Sequence, residues 1–82
     1  MTAPIRLPEI GAGQAPLSVS CWLVDTGDLV DRGDRVVELV TASSTFDVPA
    51  PVAGRLSRID KPLDTDVAVG DILGWIEPEP GT

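Results

Sequence analysis

The stretch VDRGDRVVEL, residues 30–39, returns 37 residues later as VAVGDILGWI, residues 67–76. The same offset carries Val19 onto Leu56 and Trp22 onto Ile59. Each half therefore reads as an apolar strand, an acidic turn, a valine, a Gly-Asp turn and a second apolar strand. Two such half-units each leave one apolar face uncovered, and they bury those faces against each other. The repeat predicts a flattened barrel of two small antiparallel sheets related by a quasi-twofold axis.

The rest of the chain also divides into short strands. Eight glycines and eight prolines interrupt the sequence, and no segment sustains a helical period. Short strands at close, regular spacing are typical of an all-β sandwich or barrel. The predicted strands are residues 5–7, 17–24, 35–41, 45–48, 54–60 and 71–77.

Length and charge restrict the possible functions. Eighty-two residues form one small domain, without room for a second catalytic lobe. The formal net charge is −7 and no cluster of Lys and Arg is present, which argues against binding to nucleic acid or to anionic membranes. An acidic surface fits a carrier that docks on basic partner surfaces, although it fits many other proteins as well.

The two ends of the chain bear on its cellular location and its domain organisation. The N-terminal residues lack the charged start and apolar segment of a signal peptide, and no apolar run approaches the roughly 18 residues that cross a membrane. We therefore expect a cytoplasmic protein. The C-terminal EPEPGT is Pro-rich and charged, like the start of an extended linker. We predict a domain over residues 1–77, a linker that begins at 78–82, and a monomeric domain within a larger multidomain chain.

The residue types argue against catalysis and metal binding. The chain has no histidine and one cysteine, which excludes zinc sites and Ser-His or Cys-His nucleophiles. The segment 25–34, DTGDLVDRGD, lacks the ligand order and closing Glu of a calcium loop. We expect no enzyme activity in this chain alone and no metal site. Glycines that take positive φ, and aspartates that bond their own backbone, instead predict turns at Gly27, Asp28, Gly33, Asp34, Gly54, Gly70 and Asp71.

The segment ELVTASSTFDVPAP, residues 38–51, predicts a hairpin between two strands of alternating apolar residues. Two-residue hairpin turns of the primed types need φ above zero and favour Asn-Gly or Asp-Gly, where this chain has Ala42-Ser43. We therefore expect a type I turn in a slightly wider loop, with Ser43 at an exposed apex. A plain turn without any function is the alternative.

A set of residues between Ile5 and Glu77 follows a recognisable order, beginning with the opening IRLPEIGAG. The later positions are Trp22, Gly27-Asp28, Val30, Gly33-Asp34, Glu38-Leu39, residues 48–51, Gly54, Val67, residues 69–71 and Leu73. In this order and spacing the sequence resembles the lipoyl domains of the dihydrolipoamide acyltransferase component of 2-oxoacid dehydrogenase complexes, whose opening is Leu-Pro-x-Ile-Gly-Glu-Gly, with Glu where this chain has Ala12. The resemblance implies a lipoyl-like barrel-sandwich hybrid and a non-catalytic carrier with a swinging arm.

The hairpin tip departs from that family. Residues 40–44 correspond to the family's Glu-Thr-Asp-Lys-Ala motif, whose lysine carries lipoate in amide linkage. Ser43 occupies the position of that lysine. The Met-Lys-Met motif of biotin carriers is absent, and the only lysine, Lys61, is far from the tip in sequence. Serine is a far weaker nucleophile than an amine and would give a labile ester. The resemblance therefore implies lipoate as the family's cofactor and none on this chain, with Ser43 as the substituted attachment position.

Three functions stay open. The first is an unmodified docking domain of an acyltransferase-type protein, with 2-oxoacid dehydrogenase-like or other acyl-transferring enzymes as partners. The second is a working carrier with a non-standard attachment, at Ser43, Ser44 or Lys61. The third is a structural module of an adaptor protein, although such modules normally insert a long helical hairpin at the tip. For the first function, the recognition residues at and beside the tip are expected to be Thr41, Ala42, Ser44 and Gln14.

Overall fold

The computed structural model describes residues 1–11 and 15–79, and every regular element in this part of the chain is a strand. The all-β prediction is therefore confirmed. Over these residues no helix has the length and hydropathy of a membrane span. The eight strands are β1 (Ala3–Arg6), β2 (Leu17–Trp22), β3 (Leu29–Val30), β4 (Arg35–Val40), β5 (Thr45–Pro49), β6 (Gly54–Ile59), β7 (Asp66–Val67) and β8 (Ile72–Pro78).

The strands form two four-stranded antiparallel sheets, as the repeat predicts. Sheet A has the order β1-β8-β6-β3, and sheet B has the order β5-β4-β2-β7. Both sheets direct aliphatic side chains into one core, and none of the described polar or charged residues is buried. Full burial of a Val, Leu or Ile side chain stabilises a fold by about 1.5–3 kcal/mol. The core residues are Ile5, Leu7, Leu17, Val19, Val30, Val36, Val37, Leu39, Val48, Ala50, Leu56, Val67, Leu73 and Ile76.

The sequence repeat is also a repeat of structure. The strands β6, β7 and β8 begin 37 residues after β2, β3 and β4, at equivalent places in the two sheets. The strands β1 and β5 occupy the equivalent outer positions. Hydrogen bonds repeat as well, since the N–H of Gly33 donates to the carbonyl of Ala50 at 2.9 Å and that of Gly70 to Leu7 at 2.8 Å. The two sheets are therefore related by a quasi-twofold axis.

Aspartate carboxylates close three tight turns. Asp28, Asp34 and Asp71 each accept a hydrogen bond at 2.9 Å from the backbone N–H three residues earlier. The turn glycines that precede them take a φ that strains any residue with a Cβ. These φ values are 95°, 92° and 93°, at Gly27, Gly33 and Gly70.

Gly54 begins a strand, as the predicted strand 54–60 has it, and its separate prediction as a turn residue is wrong. It is the buried first residue of β6 and pairs with Val30 on one side and Pro78 on the other. A Cβ at this position would overlap the carbonyl oxygen of Glu77 and lie 2.8 Å from a methyl carbon of Ile76. Glycine is needed here because two strands approach closely, and not because of its φ.

The strands β3 and β7 were not among the predicted strands. Each has only two residues, and each pairs with one neighbour, β3 with β6 and β7 with β2. Two residues are too few to show the alternation that predicts a strand.

Candidate functional site

The candidate site is the hairpin tip, residues 41–44, at one end of sheet B. Its two strands pair with Glu38 opposite Asp47, Leu39 opposite Phe46 and Val40 opposite Thr45. Leu39 is fully buried and Phe46 packs against the core. The strands below the tip are therefore held by the core, and they fix where the tip projects.

The hydroxyl of Thr41 organises the turn. Its Oγ1 accepts hydrogen bonds from the backbone N–H of Ser44 at 3.0 Å and from that of Ser43 at 3.2 Å. It also donates to the carbonyl of Ser44 at 3.4 Å, and the N–H of Thr41 donates to the same carbonyl at 2.9 Å. The turn is thus closed largely by a side chain, a local arrangement that threonine favours outside regular structure.

The backbone of the tip agrees with the argument against a primed turn. Among the described residues other than glycine, only Asp64 has a positive φ, so Ala42 and Ser43 do not. A primed turn requires positive φ at one or both of its central residues. The sequence therefore excludes the primed types correctly, but it does not reveal the Thr41 contacts that close the loop.

The tip is exposed and carries no charge of its own. Ala42, Ser43 and Ser44 are all exposed. The charged groups that flank them in sequence are Glu38 and Asp47, and the second is paired with Arg35 at 3.2 Å. Among the described residues, none forms a hydrogen bond with the Ser43 hydroxyl, and the side-chain hydrogen bonds at the tip all involve Thr41. No base in this part of the structure is therefore placed to activate that hydroxyl as a nucleophile.

A groove lies at the same end of sheet B as the tip. Ser18 pairs with Val40 and Leu17 with Val67, so residues 15–17 and 67–69 are neighbours at this end of the sheet. They line a groove of about 460 Å³ together with Glu9. The predicted recognition residue Gln14, and Ala12 at the family's usual Glu, lie outside the described residues.

Lys61 belongs to the second half of the repeat, whereas the tip belongs to the first. It falls in the connection between β6 and β7, half-buried, and its carbonyl accepts the indole N–H of Trp22 at 2.8 Å. Over residues 1–11 and 15–79, no group of three or more His, Cys, Asp or Glu side chains is placed to hold a metal ion.

A separate polar cluster lies on sheet A. Arg58 donates to the two carboxylate oxygens of Asp60 at 2.6 and 3.2 Å, and the indole N–H of Trp75 donates to the same carboxylate at 2.9 Å. The guanidinium carbon of Arg58 lies 5.7 Å from the centre of the Trp75 ring. The hydrogen bond from Arg58, and then that from Trp75, lower the pKa of Asp60 below its usual value.

Curated proteins of similar sequence are acyltransferase components of dehydrogenase complexes. The lipoamide acyltransferase component of the branched-chain α-keto acid dehydrogenase complex of Pseudomonas aeruginosa is 35% identical over 95% of this chain. The succinyltransferase component of the 2-oxoglutarate dehydrogenase complex of Bartonella vinsonii is 36% identical over 94%. The chain spans less than a fifth of these relatives, 18% and 19% of their lengths.

Solved structures agree with this similarity. The lipoyl domain of the 2-oxoglutarate dehydrogenase complex of Azotobacter vinelandii matches with a TM-score of 0.69 and 26% identity, over 93% of this chain and 98% of that domain. A multidomain long-chain acyl-CoA carboxylase shares the fold, with a TM-score of 0.75 and 20% identity, over 98% of this chain and 7% of that protein. A family model described as "Biotin-requiring enzyme" matches residues 3–76. The chain therefore belongs to the biotin/lipoyl family, whose domains are carrier modules without catalytic activity of their own.

Proposed function

We propose that this chain is a lipoyl-type docking domain of an acyltransferase-like protein and that it carries no lipoyl group. The observation that carries the proposal is the position of Ser43. It lies on the exposed tip between β4 and β5, where the family's Glu-Thr-Asp-Lys-Ala motif places the attachment lysine. The rest of the fold, including the paired sheets and the tight turns, is kept.

The chemistry of Ser43 does not fit the attachment. An amide linkage needs an amine nitrogen, and a serine offers only a hydroxyl. A hydroxyl becomes a useful nucleophile when a neighbouring base removes its proton. The side-chain hydrogen bonds at the tip are made by the Thr41 hydroxyl, and within the part of the chain that the structure describes the Ser43 hydroxyl makes none. An ester at this exposed site would also hydrolyse more readily than an amide.

The partners are inferred from the relatives. Those relatives are named as components of 2-oxoacid dehydrogenase complexes. We propose that the domain docks on an enzyme of this kind through the tip and the neighbouring groove, as a monomeric part of a larger cytoplasmic chain. The tip carries no charge of its own, while Glu9 at the groove and the surrounding acidic surface would make the electrostatic contacts with a basic partner.

The test is incubation of the purified chain with a lipoate-protein ligase, ATP and lipoate, followed by intact mass. A lysine-bearing lipoyl domain from a relative serves as the positive control in the same tube. We expect the control to gain one lipoyl group while this chain keeps its original mass. A lipoyl adduct on Ser43, Ser44 or Lys61 would overturn the proposal and favour a working carrier with a non-standard attachment.

A further inference from the structure

The hydroxyl of Thr41 makes hydrogen bonds at the tip that a strand residue does not need in order to pair or pack. A β-branched residue at the end of a strand is ordinary, and valine would serve that purpose as well. The Thr41 hydroxyl, however, accepts the N–H groups of both Ser43 and Ser44 and donates to the carbonyl of Ser44. Three contacts of one oxygen therefore fix the backbone on both sides of the apex.

The contacts that hold residue 43 do not involve its own side chain. The backbone N–H of Ser43 is held by Thr41, and the strand pair Val40 opposite Thr45 anchors both arms. The Ser43 side chain is exposed, and the hydrogen bonds that shape the turn join the Thr41 hydroxyl to backbone groups of Ser43 and Ser44. A different side chain at position 43 would therefore project from the same backbone.

We propose that Thr41 is the positioning residue of the tip: its hydroxyl holds residue 43 at the apex whatever side chain that residue carries. The chain has thus lost the nucleophile of an attachment site and kept its geometry. This inference rests on the proposed function, in which Ser43 is the reason that the tip stays unmodified. Ala42 and Ser43 differ from the family's motif, but these differences do not affect the hydrogen bonds that Thr41 makes.

The first experiment measures the tip without any ligase. Amide hydrogen exchange of Ser43 and Ser44 is compared by NMR in the parent chain and in Thr41→Val, Thr41→Ser and Thr45→Val. Loss of the hydroxyl should speed exchange at both amides about three- to tenfold. Thr41→Ser keeps the hydroxyl and should exchange like the parent. Thr45→Val is the matched control, because it makes the same chemical change one residue beyond the tip.

The second experiment introduces the missing nucleophile with Ser43→Lys. In the ligase reaction the amine of the introduced lysine attacks the acyl carbon of lipoyl adenylate. A C–N bond forms, the C–O bond to AMP breaks, and one proton is released. We expect Ser43→Lys to be modified, with kcat/KM about tenfold lower when Thr41→Val is added, which corresponds to losing one to two hydrogen bonds. Adding Thr41→Ser or Thr45→Val should leave kcat/KM close to that of Ser43→Lys alone.

Two results would overturn the inference. One is a Ser43→Lys chain that stays unmodified, since the geometry would then not have been kept. The other is a Thr41→Val chain whose amide exchange matches the parent, together with a Ser43→Lys chain that is modified equally fast with and without Thr41→Val. Modification of the parent chain itself is a different result, because it would contradict the proposed function and not the role of Thr41.

Discussion

Asp64 has a φ of 67°, and it is the quasi-twofold counterpart of Gly27, whose φ is 95°. The offset between them is again 37 residues, and their backbone contacts correspond. The N–H of Gly27 donates to the carbonyl of Leu56 at 2.8 Å, and that of Asp64 donates to the carbonyl of Val19 at 2.9 Å. One half of the repeat therefore uses glycine for this turn, while the other half holds an aspartate in the left-handed region.

Asp64→Gly should stabilise the fold. Left-handed backbone costs a residue with a Cβ on the order of 1 kcal/mol, and the extra freedom of glycine in the unfolded chain offsets part of the gain. We expect a net increase of about 0.5 kcal/mol in the free energy of unfolding, measured by urea denaturation. Asp66→Gly is the matched control, because it removes the same charge from a strand residue. It should lower the stability, and an equal rise in both variants would attribute the effect to charge.

Gly54→Ala should destabilise the fold strongly. The added Cβ would overlap the carbonyl oxygen of Glu77, which belongs to the adjacent strand and cannot move without breaking the pairing of β6 with β8. We expect a loss of about 3 kcal/mol in the free energy of unfolding. Ala53→Gly, at the exposed neighbouring position, should cost less than about 1 kcal/mol. A Gly54→Ala chain as stable as the parent would show that the strands are not so closely packed.

Strands β6 and β8 of sheet A also support the cluster of Arg58, Asp60 and Trp75. Their pairing places Arg58 opposite Trp75, and Asp60 follows β6 directly. The pKa of Asp60 is lowered because Arg58 and Trp75 both donate to the carboxylate. A carboxylate with a lowered folded-state pKa contributes its stabilisation above its ordinary pKa and loses it as the pH falls through the folded value.

Acidification should therefore shift the NMR signal of the Trp75 indole N–H and leave that of the Trp22 indole N–H unchanged. The Trp75 signal should shift with a midpoint below the ordinary aspartate value of about 4, because its acceptor becomes protonated. The Trp22 signal is an internal control, since its acceptor is the carbonyl of Lys61, which does not titrate. The measurement is a ¹H–¹⁵N NMR titration in the pH range where the fold persists. A Trp75 midpoint at or above 4, or the same titration in Asp60→Asn, would contradict the assignment.

Across the whole molecule, the features that depend on burial could be predicted from the sequence. Alternating Val, Leu and Ile within each half revealed the long strands, and the constant offset of the Gly-Asp pairs revealed the quasi-twofold relation. The hydrogen bonds of the Thr41 hydroxyl could not be predicted, because the partners of a threonine hydroxyl depend on its rotamer and on the geometry of the loop. The strand that begins at Gly54 was predicted, but the need for glycine there was not, because a glycine can serve a turn or a close strand contact and only the neighbouring strand decides.

The molecule as a whole has the fold of a carrier domain, and we propose that Ser43 stands where the family's carried group is attached. The measurement to make is the intact mass of the protein purified from its own host, with fragmentation across residues 38–51. We predict that this fragment has the mass of its bare sequence, with Ser43 and Ser44 unmodified. A fragment that carries an added group on either serine would contradict the proposal and show that the domain still works as a carrier.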